Sequence, residues 1–229
     1  MKIKIECLKK KDKYPSFINK AYSLIFLIAS LFNPSYASKE FDKEIRSNVE
    51  MFYSVFSDYW RSDKTLNKNR PPQIIILNRG STVLGGCYGK DKKKNHVFSG
   101  SQYCAATNTI LLDIEQLRDF YKVHKAPGLL FVTAHEAAHA VQQGKSYFLK
   151  EPFHELHADC LASRIMKVFE PNMTENELKF LSKLLINSGS ETHGHGLDRT
   201  AAIEMGLGLI KGNCRPLEIY EITSREKID

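Results

Sequence analysis

The sequence predicts an α+β fold for this 229-residue chain, with a small sheet near the N-terminus and a helical body after it. Apolar side chains recur near a period of about 3.6 residues over residues 40–61, which predicts an amphipathic helix. These side chains are Phe41, Ile45, Phe52, Val55, Phe56 and Tyr59. Two short apolar runs, Gln73–Leu77 and Asn108–Leu112, predict strands. From Ile114 onward the apolar spacing is helical, so the rest of the chain predicts helices.

Start and stop signals divide this helical body. The predicted helices cover residues 114–125, 128–143, 151–169, 174–187 and 198–211. Pro127 precedes the second of these helices, which is rich in alanine, and Gly144 follows it as a stop. Thr174 and Glu177 form a capping box that opens the fourth helix, and Asp198 is the predicted cap of the fifth.

The N-terminal segment has the pattern of a secretory signal. Residues 1–20 are rich in lysine, Ala21–Phe32 is an apolar run, and Ser35–Ala37 fits a small-residue cleavage site. The run spans roughly 18 Å as a helix, short of the ~30 Å hydrocarbon core of a bilayer. We therefore expect export to the periplasm or the extracellular space of a bacterium, with cleavage after Ala37. An uncleaved membrane anchor is the alternative.

Most of the positive charge belongs to this segment. Residues 1–37 hold seven of the 33 basic residues and two of the 26 acidic ones, so without them the net charge falls from +7 to +2. A nucleic-acid partner is therefore not expected. The remaining length, residues 38–229, fits one domain. A membrane partner is expected only if the N-terminal segment stays as an anchor.

Cysteine usage agrees with export. Cys87, Cys104, Cys160 and Cys214 remain after residues 1–37, an even number for an oxidising compartment. Four cysteines allow three pairings. We favour Cys87 with Cys104, which closes the loop before the second strand, and Cys160 with Cys214, which ties a helix to the C-terminal segment. Four buried thiols are the alternative.

The segment His135–His139 contains two histidines four residues apart on the predicted Ala-rich helix. That spacing puts both imidazoles on one face, one turn apart, where they can bind one metal ion. Glu136 projects beside them and can reach a metal-bound water. Burying three ionisable side chains on an apolar helix costs several kcal/mol unless a charge compensates them, and a divalent metal does so. The pattern predicts one zinc ion, with Glu136 as general base.

A catalytic zinc takes a third protein ligand, and the next helix supplies candidates. Glu155 and Asp159 lie four residues apart and share a face. We expect Glu155 to bind the metal and Asp159 to accept the outer N–H of a ligand histidine, which fixes its tautomer. His154 and His157 are the rival third ligands. We prefer Glu155 because His157 points about 200° away from it and has no carboxylate one turn later.

Together these residues resemble the neutral zinc metallopeptidase family, gluzincin-like bacterial envelope proteins. The resemblance covers roughly residues 71–215, because four segments occur in the family's order. They are Tyr103–Cys104 with Thr109–Asp113, His135–His139 with Val141–Gln142, Glu155–Cys160, and Thr192–Gly194 with Arg199. The resemblance implies a single zincin-like domain and hydrolysis of peptide bonds in a peptide or protein substrate.

It also places His193 and Arg199 near the substrate cleft, where either could stabilise the oxyanion of the transition state. The strand that ends at Asp113 is expected to pair with an extended substrate peptide. Two readings from other classes remain open: a binding module that keeps zinc as a structural element, and a membrane-tethered scaffold of the cell envelope. The intact Glu136 argues against the first, since a closed structural site needs four ligands and no base.

Overall fold

We analysed a computed structural model, which describes residues 34–83, 87, 95–145, 149–169, 174–183, 190–215, 217–219 and 221. The chain divides into two compact units, residues 1–41 and 42–229, and the account below concerns the second. Most of the predicted signal segment, residues 1–33, lies outside the described residues. Within the described part of the chain, no helix combines the length and the apolar character needed to span a membrane.

The observed elements form an α+β fold with a helical body, as predicted. The helices are α1 (Pro34–Ser62), α2 (Ile114–Gly144), α3 (Phe153–Phe169), α4 (Glu175–Ser182) and α5 (Gly196–Leu207), with a 3₁₀ turn at Leu66–Lys68. The strands are β1 (Gln73–Leu77), β2 (Thr82–Val83), β3 (His96–Val97), β4 (Gln102–Cys104) and β5 (Thr109–Asp113). The sheet therefore precedes most of the helices in the sequence.

Strand β5 lies in the middle of a three-stranded sheet with the order β1-β5-β4. It runs parallel to β1 and antiparallel to β4, and all five of its residues are buried. Both of its edges are hydrogen-bonded to neighbouring strands, so β5 cannot add an extended peptide. This corrects the expectation for the strand that ends at Asp113. Strand β4 lies at the edge of this sheet, and β2 and β3 form a separate antiparallel pair.

Helix α1 confirms the predicted amphipathic pattern, although it begins earlier than residue 40. Its buried side chains recur every three or four residues, as the core face of a helix requires. They are Ile45, Val49, Phe52, Phe56 and Trp60. The stripe is therefore hydrophobic core.

Helix α2 joins the two helices that were predicted before and after Pro127. Asp113 caps its start, because a carboxylate oxygen accepts the N–H groups of Glu115 and Gln116. The helix is interrupted at Lys125, which has φ 57° and ψ −154°. Pro127 has no N–H to donate to the preceding turn, which accounts for a break at this point. The segment after it is buried and carries the two histidines.

The capping box of α4 is confirmed, whereas the predicted cap of α5 is wrong. Thr174 Oγ1 accepts the N–H of Glu177 at 3.3 Å, and the Glu177 carboxylate accepts the N–H of Thr174 at 2.7 Å. Helix α4 ends at Ser182, and residues 184–189 are outside the described part. Helix α5 has His195 at its N-cap, so Asp198 lies in the first turn. It ends at Leu207 because Gly208 adopts the left-handed conformation.

Both preferred disulfides are confirmed. Cys87 bonds to Cys104 of β4, and Cys160 of α3 bonds to Cys214 near the C-terminus. The second bond closes a sequence separation of 54 residues and ties α3 to the last part of the chain. Two disulfides indicate an oxidising compartment.

Asp63 offers a test of the packing between the end of α1 and the end of α2. Its Oδ2 accepts Lys145 Nζ at 2.7 Å, and its Oδ1 accepts the N–H groups of Thr65 and Leu66. Burial raises the pKa of Asp63, but these hydrogen bonds outweigh it and hold the pKa below its ordinary value of 3.8. The resulting stabilisation is therefore complete above that pH, declines below it, and is lost as the pH falls through the lower pKa of the folded state.

We expect Asp63→Asn to lower the free energy of unfolding at pH 7 by about 1 kcal/mol. Urea unfolding at pH 7 and pH 3 measures this, and the difference between variant and wild type should shrink at pH 3. Asp58→Asn is the matched control, because Asp58 pairs with Arg61 on an exposed helix surface and its loss should be close to neutral. Equal losses at both pH values would contradict the assignment.

Candidate metal centre

Two helices bring three ligand atoms to one point. His135 and His139 lie one turn apart on α2, with their Nε2 atoms 3.2 Å from each other. Glu155, in the first turn of α3, places Oε2 3.0 Å from His135 Nε2 and Oε1 3.5 Å from His139 Nε2. The structure therefore groups the two predicted histidine ligands with the predicted third ligand.

In both histidines, the hydrogen-bond partner of Nδ1 shows that Nε2 carries the lone pair of the neutral ring. His135 Nδ1 lies 2.8 Å from Asp159 Oδ1, and His139 Nδ1 lies 2.8 Å from Gln142 Oε1. Carboxylate and amide oxygens accept hydrogen bonds, so each Nδ1 donates a hydrogen in the neutral ring. Each Nε2 then presents a lone pair to the centre. Asp159 thus has the position that we expected for it beside a ligand histidine.

Two lone pairs and a carboxylate that face one another need a positive charge between them. Burial lowers the pKa of His135, but its bonds to Asp159 and Glu155 outweigh this and raise the pKa to about 10. Burial raises the pKa of Glu155, yet the neighbouring histidines hold it far below its usual range. A metal ion supplies the missing charge directly. With one ligand atom from each residue, the three atoms all lie within 4.8 Å of one another, so one ion can contact all of them after small side-chain movements. The donor set therefore fits a metal ion.

The rival third ligands, His154 and His157, are not part of the ligand group. His157 is fully buried, and its Nε2 is 2.9 Å from the carbonyl oxygen of Cys214. Burial lowers its pKa to about 4, so the ring is neutral at pH 7. His154 stacks on His139 with ring centroids 4.8 Å apart, and its Nδ1 is 3.7 Å from Glu155 Oε1. It borders the centre, whereas the ligand group itself contains Glu155.

Glu136 lies beside the ligand group and is 7% exposed. Burial raises the pKa of its carboxyl group above the usual range, against the opposing effect of the neighbouring histidines. The backbone N–H of Tyr103, in strand β4, also hydrogen-bonds to this carboxylate. The sheet edge therefore orients Glu136, and a raised pKa suits a group that accepts a proton near neutral pH.

These side chains open into a cavity of about 500 Å³. Its lining includes Ser101 and the edge-strand residues Gln102 and Tyr103, together with His154 and His193. Within the described structure, the amide nitrogen Nε2 of Gln102 is buried and has no hydrogen-bond partner. The cavity is large enough for several atoms of a bound molecule, and it places them between the ligand group and a strand edge.

His193 has the position near the cleft that the resemblance implied. Its Nδ1 lies 2.9 Å from Thr192 Oγ1 and 3.1 Å from Ser190 Oγ. Its Nε2 lies 3.6 Å from Glu155 Oε2. Gly194 follows with φ 83°, a left-handed conformation that suits glycine. The ring thus forms part of the cavity wall, with one nitrogen held by hydroxyl groups and the other near the ligand group.

Arg199 does not have the expected position, and its assignment as a catalytic residue needs correction. Its Nε donates to Asp159 Oδ2 at 2.7 Å, and its Nη2 donates to Asp159 Oδ1 at 3.0 Å. The Arg199 side chain is 8% exposed and is not among the residues that line the cavity. Arg199 therefore contacts the carboxylate behind His135. The two hydrogen bonds orient Asp159, whose own bond orients the ligand.

Gln142 is a site residue that the sequence reasoning missed. It is 1% exposed, and its amide contacts His139, His157 and the carbonyl oxygen of His154. The signal was present, because a glutamine three residues after His139 lies on the same face of the helix. Orientation of His139 by an amide could have been predicted from that spacing, as the carboxylate Asp159 was for His135.

No protein-family model, no curated protein and no solved structure matches the chain. The resemblance to neutral zinc metallopeptidases therefore stays an expectation, and the proposal below depends on the geometry of the site.

Proposed function

We propose that this chain is a zinc-dependent peptidase that acts in an oxidising compartment outside the cytoplasm. The convergence of His135, His139 and Glu155 is the observation that carries the proposal, because one ligand atom from each of these largely buried side chains lies within 4.8 Å of the other two. Two nitrogens and one carboxylate oxygen form the donor set of catalytic zinc sites, which keep a further position open. A bound zinc ion supplies Lewis-acid chemistry, since it lowers the pKa of water and polarises a carbonyl group.

In the proposed mechanism, Glu136 is the general base. Its carboxylate borders the same cavity as the ligands, and burial raises its pKa. It accepts a proton from the attacking water and later delivers that proton to the leaving amine. The N–H of Tyr103 holds the carboxylate in place.

His193 takes the part of oxyanion stabiliser. The hydroxyl of Thr192 or of Ser190 can donate to the single lone pair of its Nδ1, which leaves the hydrogen of a neutral ring on Nε2. That nitrogen can then donate to the oxyanion of the transition state. Because Arg199 is bound to Asp159, His193 alone keeps this part.

Strand β4 is the proposed binding edge for an extended substrate peptide, a role that the sequence had assigned to β5. It is an edge strand, and Ser101, Gln102 and Tyr103 line the cavity. An extended peptide can add to such an edge through main-chain hydrogen bonds.

The direct test is hydrolysis of an unfolded protein by the purified full-length chain. We expect new amino termini to appear with time, to stop when a chelator removes the metal, and to return when Zn²⁺ is restored. The His139→Ala variant, purified in the same way, controls for contaminating peptidases and should show no hydrolysis. Equal hydrolysis by the variant, or none by the zinc-loaded wild type, would refute the proposed activity.

A further inference from the structure

The second ligand histidine is connected to a disulfide by a chain of hydrogen bonds. His139 Nδ1 lies 2.8 Å from Gln142 Oε1, and Gln142 Nε2 lies 3.0 Å from His157 Nδ1. His157 Nε2 lies 2.9 Å from the carbonyl oxygen of Cys214, which is bonded to Cys160. Four residues from α2, α3 and the C-terminal segment thus form one continuous path to the metal centre.

The carbonyl oxygen of Cys214 fixes which atom donates and which accepts in every hydrogen bond of this path. A carbonyl oxygen can only accept, so His157 Nε2 carries the hydrogen and His157 Nδ1 carries a lone pair. Gln142 must then donate from Nε2, which also donates to the carbonyl oxygen of His154 at 2.8 Å. Its Oε1 is left to accept from His139 Nδ1. His139 Nε2 consequently presents its lone pair to the metal centre.

Because these groups are buried, each hydrogen bond in the path is costly to break or to reverse. Gln142 is 1% exposed, His157 is fully buried and Cys214 is 3% exposed. A broken link would leave a buried polar group without a partner, which is costly where water cannot replace it. Cys214 also has φ 53°, a conformation that residues other than glycine rarely adopt. The Cys160–Cys214 disulfide holds the backbone at this position, and with it the terminal carbonyl group.

We propose that Gln142 and His157 are positioning residues for His139, and that the Cys160–Cys214 disulfide anchors them, so that metal affinity depends on this bond. The inference rests on the metal centre proposed above, but not on its peptidase activity. Outer partners of metal-binding histidines typically contribute 10- to 100-fold to metal affinity.

The first test compares two substitutions of His157 in the full-length chain. His157→Leu removes both hydrogen bonds, whereas the amide of His157→Gln can accept from Gln142 and donate to the Cys214 carbonyl. We expect Zn²⁺ binding, measured by competition with a chromophoric chelator, to weaken about 10- to 100-fold in His157→Leu. It should be near the wild-type value in His157→Gln. Wild-type affinity in His157→Leu, or equal losses in both variants, would overturn the proposal.

Two controls separate positioning from folding and from the proposed metal centre. The visible absorption of bound Co²⁺ reports the ligand geometry, so it should change in His157→Leu and stay unchanged in His157→Gln. Gln142→Glu keeps an acceptor for His139 but cannot donate to His157, and it should also weaken Zn²⁺ binding. A wild type that binds no Zn²⁺ would refute the metal centre itself. Tight binding by every variant would refute only the positioning role of Gln142 and His157.

The second test concerns the disulfide. Cys160→Ser/Cys214→Ser should weaken Zn²⁺ binding, while Cys87→Ser/Cys104→Ser, which removes the other disulfide, should leave it close to wild type. If the bond acts through His157, its removal from the His157→Leu chain should cause no further loss of affinity. Additive losses in that combined variant, or equal losses on removal of either disulfide, would contradict the anchoring role.

Discussion

Glu136→Gln should lower peptide hydrolysis by roughly 100- to 10,000-fold while the chain keeps its metal and its fold. Glutamine is nearly isosteric but cannot accept the proton of the attacking water. The side chain is buried beside the ligands without belonging to their group. Since burial raises its pKa, the charged form is disfavoured in the fold, so a neutral amide should leave stability unchanged or higher at neutral pH.

Three measurements on one preparation check this result: the rate of hydrolysis of an unfolded protein, the zinc content, and urea unfolding. Glu50→Gln is the matched control, because Glu50 is an exposed glutamate on α1 that does not line the cavity. Its activity should equal that of the wild type. Unchanged hydrolysis in Glu136→Gln would remove the enzymatic interpretation, and loss of the fold would make Glu136 a structural carboxylate.

Arg199→Met should destabilise the chain by about 3–5 kcal/mol, the largest loss of stability that we expect from a single substitution near the site. Asp159 is fully buried and accepts two hydrogen bonds from Arg199. Burial raises the pKa of Asp159, and the Arg199 charge with the His135 contact lowers it below its usual range. Without Arg199, a buried carboxylate would lose its main compensating charge.

Urea unfolding of the metal-free protein measures this loss without the added effect of metal binding. Arg215→Met is the matched control, since Arg215 also donates from Nε and Nη2 to a carboxylate, here Oε1 of Glu218, but its side chain is 72% exposed. Its effect should be small. Adding Asp159→Asn to Arg199→Met should recover part of the stability, because the uncompensated charge is then absent. No recovery would indicate that the loss of packing, and not of charge compensation, causes the effect.

The ligand group was predictable because helix geometry is local. A spacing of four residues places His135 near His139, and the same rule places Glu155 near Asp159. Burial of ionisable groups on an apolar helix gave a second reason to expect a metal. The helix with the two histidines and the helix with Glu155 then had to pack against each other, and the short connection between them favours that packing. Strand β1 was predicted with its observed limits for a similar reason, since its apolar run is short and clearly bounded.

Long-range relations were not predictable in this way. The order β1-β5-β4 depends on which strands pair, and the sequence does not state that β5 lies between the other two. Arg199 was expected near the cleft because the family resemblance implied that position. The buried charge of Asp159 needs that cation more. The end of α5 was misplaced because Gly208 stops the helix before the predicted end.

Metal content tests the central claim most directly. The purified full-length chain, incubated with Zn²⁺ and then dialysed, should retain about one zinc per chain, and His139→Ala should retain none. Glu155→Gln should also lose zinc, whereas His154→Ala should retain it, since the ligand group contains Glu155 and not His154. A wild type without zinc, or a His139→Ala chain that holds as much zinc as the wild type, would contradict the account.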